Sequence, residues 1–355
     1  MNLWGQRLSD RLGAIGQPDN FTLLRLLAAV LVIYGHCFAL ALNPQAQLDF
    51  VGRLLGGTYV GSIGVEMFFF ISGLFVTYSW LRRPDLMHFV RARALRLLPA
   101  LVCCLLLSVF VLGPLFTELP LASYLQDPQT HHYLKANLKL GEMAFQLPGV
   151  FLQAHHPGAP VNGSLWSLPL ELRCYVALAI AAVLGLGSRR WLSNLCLALL
   201  AIRFAGSWVR HAGVFEHDYQ KLFPYFLLGV ACAINARWVP LHGGWLVLLV
   251  LTSWLSHGHY LFHPLLGLSI CYFCLWFGYC PRVPQVDRFG DLSYGSYLYG
   301  YPVQQMLVTL FPLWTPHLLF LPTLLVVLPL AAASWWLVEK PALRLKGRAP
   351  RQQPS

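Results

Sequence analysis

The chain has 355 residues, of which 57% are hydrophobic and only 11% charged, with a mean hydropathy of +0.57. Soluble domains carry about 25% charged residues, so this composition rules out disorder, a coiled coil and a small disulfide scaffold, argues against a soluble enzyme, and indicates a polytopic membrane protein. The net charge of +11 then reads as Lys and Arg gathered on cytoplasmic loops, with no nucleic-acid partner implied.

A helical span needs about 20 mostly apolar residues. Ten segments qualify in turn: 21–42, 60–81, 97–116, 166–186, 191–209, 222–236, 243–256, 262–280, 292–312 and 318–338. The expected fold is an all-α integral membrane bundle of about ten transmembrane helices. The sixth and seventh segments are short. The first apolar run starts near Phe21 and lacks a small-residue cleavage site, so it reads as a span and not as a cleavable signal. The only long connection, 117–165, is either a functional loop or a short re-entrant element. Ten spans put both termini on one side. Seventeen of the 25 Lys and Arg fall on that side, five on the other, and Arg25, Arg173 and Arg203 fall inside spans. The positive-inside rule makes the termini-bearing side cytoplasmic.

Ionisable groups within spans are costly and point to function. Arg25 and His36 lie eleven residues apart in the first span. On a helix they share nearly one stripe, separated by about 16 Å along the axis. Arg25 is expected near the cytoplasmic end and His36 near mid-membrane. A snorkelling Arg and a core His are the bland alternative. Glu66 is the only charge in the apolar part of the second span, and can counter a cation or orient His36. Ser72 is either a nucleophile or, with Gly73, a close helix contact, and packing is the commoner use of such a pair. Arg91, Arg93 and Arg96 lead into the third span; alone they mark topology, but Arg forks also suit phosphate and pyrophosphate.

In the fourth span, Glu171 and Arg173 are two residues apart and cannot face each other. Arg203 in the fifth is a possible partner for Glu66 or Glu171. Asn162-Gly163-Ser164 has the glycosylation pattern, a weak three-residue match. The histidines at 131–132, 155–156, 257, 259 and 263 lack metal-ligand spacing, so no metal is expected. The nine cysteines lie in or beside apolar stretches and form no disulfide framework. Cys271 and Cys274 have CxxC spacing inside SICYFCLWF and read as small buried hydrophobes.

These residues add up to a pattern. Arg25 and His36, then VEMFFFISGLF (65–75), RALRLLP (93–99), SLWSLPLE (164–171), LSYGSYLYGYPV (292–303) and WLVEKPAL (336–343) follow one another through nearly the whole chain. Together they resemble the membrane acyltransferase family 3, the group of O-antigen O-acetylases and related polysaccharide acyltransferases. The resemblance implies a ten-helix acyltransferase domain over 1–340, followed by a basic cytoplasmic tail, disordered, over 341–355. It implies acyl transfer, commonly of acetyl, from cytoplasmic acyl-CoA to a glycan or lipid-linked saccharide, in the inner membrane of a bacterium. O-antigen of lipopolysaccharide, exopolysaccharide and small glycosides all stand as acceptors. The implied catalytic pair is Arg25 and His36, and the implied acyl-CoA contacts are Arg93 and Arg96 with Arg91 beside them. Glu66, Ser72 and Glu171 match further motif positions. The chain departs from the pattern at Ala92, where a second arginine is common, and at Gly300, where a His is common.

On this reading His36 is the general base on the acceptor hydroxyl, and Arg25 fixes the thioester or stabilises its oxyanion. An acyl-histidine intermediate is an alternative. Two other classes remain open at this point. One is a transporter or channel with Arg25, Glu66 and Glu171 lining the path; the other is a scaffold in which these charges only pin helices.

Overall fold

The computed structural model describes residues 6–14, 19–42, 48–56, 58–152, 159–185, 189–210, 218–279, 283 and 286–346. Among these the chain is helical with no strand, and the only β pairing is two isolated bridges, Arg7 with Pro240 and Thr117 with Val150. A helix stands at each of the ten sequence positions expected to span. They are α1 (Phe21–Leu40), α2 (Val60–Arg82), α3 (Leu86–Phe116), α6 (Gly163–Val183), α7 (Arg190–Arg210), α8 (Asp218–Ile234), α9 (Gly243–Leu255), α10 (Phe262–Tyr279), α11 (Ser293–Leu310) and α12 (Pro316–Arg344). Two further helices, α4 (Leu121–Gln126) and α5 (Pro128–Lys139), occupy the long connection.

Seven of these helices are long and apolar enough to cross a membrane: α1, α2, α3, α6, α7, α10 and α12. The other three of the ten fall short for different reasons. α8 and α9 are short apolar helices, and α11 has sufficient length but carries Ser, Tyr and Gln along its course.

Two boundaries differ from the sequence expectation. α3 begins at Leu86, eleven residues before the expected start at 97, so the basic run is itself helical. Asp85 opens it by accepting from the His88 amide at 3.0 Å. The run leads into the span as expected, but as part of the same helix, and it turns the groups at 93 and 96 toward a cavity inside the protein. At the other end, α12 continues to Arg344, so the expected tail from 341 begins as helix. Its continuation passes through a π-helical turn, Trp335–Glu339, a feature that recurs at functional sites.

The core is built around α1, α2, α8 and α11. Small residues let the backbones meet. A Cβ on Gly73 would stand 2.1 Å from the Phe226 carbonyl oxygen, and one on Gly229 would stand 2.3 Å from the Phe70 carbonyl oxygen, so α2 and α8 touch backbone to backbone. The reading of Ser72-Gly73 as a packing contact therefore holds for the glycine. Gly35 of α1 meets Gly61 of α2 in the same way. α11 runs alongside α1: a Cβ on Gly300 would meet Ile33, and Gln304 donates to the Ile33 carbonyl at 2.7 Å. The 117–165 connection packs onto the main core through Tyr124 and Tyr133, both fully buried, and Tyr124 donates to the Val109 carbonyl at 2.9 Å.

Candidate active site

Charged and hydroxyl side chains from α1, α2, α3, α6 and α11, with Asp291 just before α11 and Lys346 just after α12, converge on a cavity of about 320 Å³. It lies at the end of the bundle where α1 starts and α3 receives its arginines. Its cations are Arg25, Arg93, Arg96 and Lys346. Helix geometry selects which of the arginines reach it. Positions 93 and 96 are three apart and share a face, whereas 91 is two residues before 93 and points away. Arg91 is accordingly exposed and does not line the cavity. Ala92, where the family pattern often has an arginine, is buried in the helix packing.

Asp291 ties this cationic group together. It accepts from Arg96 at 2.8 Å and from Arg25 at 3.2 Å, and the Ser293 amide and hydroxyl also bond it. Burial alone would raise its pKa, but the guanidinium groups of Arg96 and Arg25 outweigh it and hold the carboxyl far below the usual carboxylate range. Glu339, brought in by the π-helical turn, stands 3.6 Å from the other side of Arg96 and accepts from Ser334 at 3.1 Å. Arg96 lies over the ring of Tyr294 and Arg93 over that of Tyr175. Lys346 is pushed down to about 8 by burial and by the nearby Arg93 and Arg96. The Nε atoms of Arg25 and Arg93 are buried with no hydrogen-bond partner. Unused donors on cations at a cavity wall suit a polyanionic ligand.

Glu171 and Ser72 form a second cluster on the same wall. Tyr175, one turn on from Glu171, donates to it; Ser72 donates to Glu171 at 3.4 Å and shares a bond of 2.9 Å with the Tyr175 hydroxyl. Arg173 faces outward, as its spacing from Glu171 requires, and Arg203 is exposed on α7. Neither Arg173 nor Arg203 forms an ion pair among the described residues.

His36 lies beyond this cavity. It is the sixteenth residue of the twenty in α1, about 8 Å past the helix midpoint. The side chain is 9% exposed, its Nδ1 is buried with no hydrogen-bond partner, and its ring meets the Tyr301 ring edge-on at 5.1 Å. Arg25 and His36 do share a stripe: Arg25 reaches Asp291 just before α11, and His36 reaches Tyr301 further along it. Phe68 and Tyr297 also line the cavity, and their rings meet edge-on at 5.7 Å. Tyr297 is one turn before Tyr301 on α11, so the helix carries one ring at the cavity and the next against His36. Glu66 neither lines the cavity nor bonds His36; its partner is the Tyr225 hydroxyl of α8.

The remaining sequence candidates have structural uses. Asn162 is fully buried, donates to the Leu298 carbonyl at 2.9 Å and accepts from the Ser164 amide, so it caps α6 and is inaccessible to a sugar. His257 and His263 bond Leu54 and Thr58 at 3.1 Å each, and the Leu261 amide donates to His259. His131 and His132 are exposed on α5, and His155 and His156 lie outside the described residues. Among the described residues no three His, Cys, Asp or Glu side chains converge as a metal site. Cys271 and Cys274 are buried free thiols; Cys280 lies outside the described residues.

The site holds residues that the sequence reading did not single out. Asp291 belongs to none of the motifs named above, Glu339 falls within WLVEKPAL, and Lys346 falls within the expected tail. Asp291 directly precedes the LSYGSYLYGYPV segment, and Glu339 ends a long apolar run. Both positions are detectable signals, but their joint ion pairing with Arg96 is not.

Comparison with known proteins adds to this geometry. The family described as "Acyltransferase domain" matches residues 19–336. The chain is similar to a protein named O-acetyl transferase from Shigella phage Sf6, at 30% identity covering 91% of this chain and 96% of that one. It is also similar to Nodulation protein 10 from Rhizobium leguminosarum bv. viciae, at 28% identity covering 93% and 95%. No solved structure matches the chain.

Proposed function

The chain belongs to the acyltransferase family that this domain defines, and from that premise we propose that it moves an acyl group, acetyl in the first instance, from acyl-CoA to a hydroxyl of a glycan or glycolipid. On this reading it is a ten-span protein of a bacterial inner membrane with both termini in the cytoplasm. The observation that carries the donor assignment is the cavity: four cations line it, two of them with unused buried Nε donors. The CoA phosphates lie on Arg93, Arg96 and Lys346. The pantetheine arm extends along the α1–α11 seam, past Phe68 and Tyr297, toward His36. The rise from Arg25 to His36, about 16 Å, suits an extended arm of that kind.

Transfer then needs a proton acceptor beside the hydroxyl. His36 takes the hydroxyl proton on Nδ1, the buried nitrogen without a partner. The alkoxide oxygen attacks the thioester carbonyl carbon and a tetrahedral oxyanion forms. The carbon–sulfur bond breaks, the ester remains on the acceptor, and the CoA thiolate recovers the proton from the imidazolium. Arg25, fixed by Asp291, orients the donor at the near end of the seam. Ser72 is bonded to Glu171 and Tyr175 and serves the cavity wall, not nucleophilic attack. Glu66 orients Tyr225 across the α2–α8 contact.

The test uses purified wild type and His36→Ala in detergent with radiolabelled acetyl-CoA. Thioester turnover is expected to vanish in the variant while CoA binding stays within about twofold, because the phosphate contacts are untouched. Full turnover by a folded His36→Ala protein would refute the assignment.

A further inference from the structure

A second cationic site lies on another face of the bundle, where α7 begins beside the end of α8. It is at the same end as the cavity. The segment before α1 links the two regions: the Leu8 amide donates to the Val239 carbonyl at 2.9 Å, Arg11 to the Tyr279 carbonyl at 2.8 Å, and the Asn20 amide to the Gly278 carbonyl at 2.9 Å.

Arg189, Arg190 and Arg237 line a shallow cleft there with Trp191 and Trp238. Arg190 is held in one pose: its Nε and one Nη both donate to Asn235 Oδ1 at 3.1 Å. Asn235 is fixed in turn by a reciprocal amide pair with Asn194, at 2.8 and 3.1 Å, and by a bond of 3.0 Å to the Ala231 carbonyl. Arg237 lies over the Trp238 ring at 5.2 Å, with Arg7 at 6.0 Å from the same ring. Arg7 also donates to the Arg237 carbonyl at 3.1 Å, which brings a fourth cation to the cleft. The acid nearest this group along the chain, Asp10, bonds the Arg7 backbone amide. None of the ion pairs among the described residues involves these four arginines.

The contrast with the cavity decides what the cleft is for. There, carboxylates neutralise the arginines. Here the acceptor is a neutral amide, which orients Arg190 without cancelling its charge. Gathered cations of one sign repel unless an anion joins them. Trp191 and Trp238 are 67% and 65% exposed, and exposed tryptophans at the end of a membrane bundle mark the headgroup level. Planar guanidinium forks match phosphate oxygens, and basic pockets between helices at this level take acidic headgroups.

We infer that the cleft formed by Arg189, Arg190, Arg237, Trp191 and Trp238 is a binding site for the phosphodiester headgroup of an anionic glycerophospholipid. The arginines grip the phosphate, and the two indoles flank the glycerol backbone and upper acyl chains.

The test is native mass spectrometry of the full chain in detergent, titrated with phosphatidylglycerol and, separately, phosphatidylcholine. Wild type is expected to retain phosphatidylglycerol preferentially. Arg190→Gln with Arg237→Gln weakens that binding by about twenty-five-fold, at roughly fivefold per arginine, and Arg82→Gln, an exposed arginine elsewhere, leaves it unchanged. Asn235→Asp is the decisive variant. It keeps the Arg190 contact as an ion pair and the bond from the Asn194 amide, loses the two bonds its own amide donates, and supplies a negative charge that weakens the preference about fivefold, with the unfolding midpoint showing that the variant is folded. Equal binding of the two lipids by wild type overturns the inference, as does an undiminished preference in Asn235→Asp. Complete displacement of the lipid by millimolar inorganic phosphate also overturns it, by showing a site for soluble phosphate.

Discussion

Replacing Asp291 by Asn leaves the side chain nearly the same size and removes one charge. That charge is 12% exposed and neutralises Arg96 at 2.8 Å and Arg25 at 3.2 Å. Removing one partner from such a buried set costs about 3–5 kcal/mol, or a fall of roughly 10 °C in the unfolding midpoint. Asp291 is held far below the usual carboxylate range, so its contribution is fully present above the unfolded-state value near 4 and is lost only as pH falls through the lower folded value. The wild-type advantage should therefore stay constant between about pH 5 and 8. Ligand binding should move the other way. A CoA phosphate about 6 Å from Asp291 is repelled by about 3 kcal/mol at an effective dielectric of 20, and salt screens part of this. Asp291→Asn should bind CoA about tenfold more tightly at moderate salt while turning over more slowly, because Arg25 loses its anchor. Thermal unfolding, calorimetric titration with CoA and acetyl-CoA turnover measure the three effects on one preparation. Weaker CoA binding in a folded Asp291→Asn protein would refute the placement of donor phosphates on these arginines.

Three further outcomes follow from the same geometry. Arg93→Ala and Arg96→Ala should each raise the Kd for CoA by about tenfold, the loss of one charge-assisted contact, whereas Arg91→Ala should change it less than twofold because that side chain faces solvent; titration calorimetry separates them. Lys346, at about 8, is protonated below that pH, so CoA affinity should fall as pH rises from 7 to 9, and Lys346→Met should flatten the profile. Because the folded value lies below the unfolded one near 10.4, protonated Lys346 costs stability below pH 8, and stability should rise with pH between about 8 and 10.4. Gly73→Ala places a Cβ 2.1 Å from the Phe226 carbonyl oxygen, a clash on rigid backbone that should cost about 1–3 kcal/mol or more, seen as a lower unfolding midpoint.

The apolar helices were legible because hydropathy and helix length are local properties. α1 and α2 start where the sequence placed them, at Phe21 and Val60, and end within two residues of the expected limits. The eleven-residue spacing of Arg25 and His36 was legible too, since a regular helix converts spacing into direction. α3 was misjudged at its start because a hydropathy argument treats every arginine as facing lipid, and cannot see that Arg93 and Arg96 turn inward. The pairing of Arg25 with Asp291 lies beyond such reasoning: 266 positions separate the two, and only the register of α11 against α1 joins them. Glu339 needed a further irregularity, the π-helical turn, which shifts its phase relative to the apolar residues before it.

α11 carries a consequence for how the protein enters the bilayer. Fifteen of its eighteen residues are buried in protein, including Gln304 and Gln305, and it is not among the helices apolar enough to cross alone. The Gln304 amide nitrogen donates to the Ile33 carbonyl of α1, the Tyr294 hydroxyl donates to the Leu97 carbonyl of α3, and Gln305 donates to the Pro160 carbonyl before α6. Each of those partners is synthesised earlier in the chain. Lipid offers these groups no hydrogen bonds, so α11 is expected to settle in the bilayer only with α1, α3 and the segment before α6 already in place. The helix that lines the proposed seam is thus expected to depend on the rest of the bundle for its place, and a chain that misplaces an early helix is expected not to build the seam.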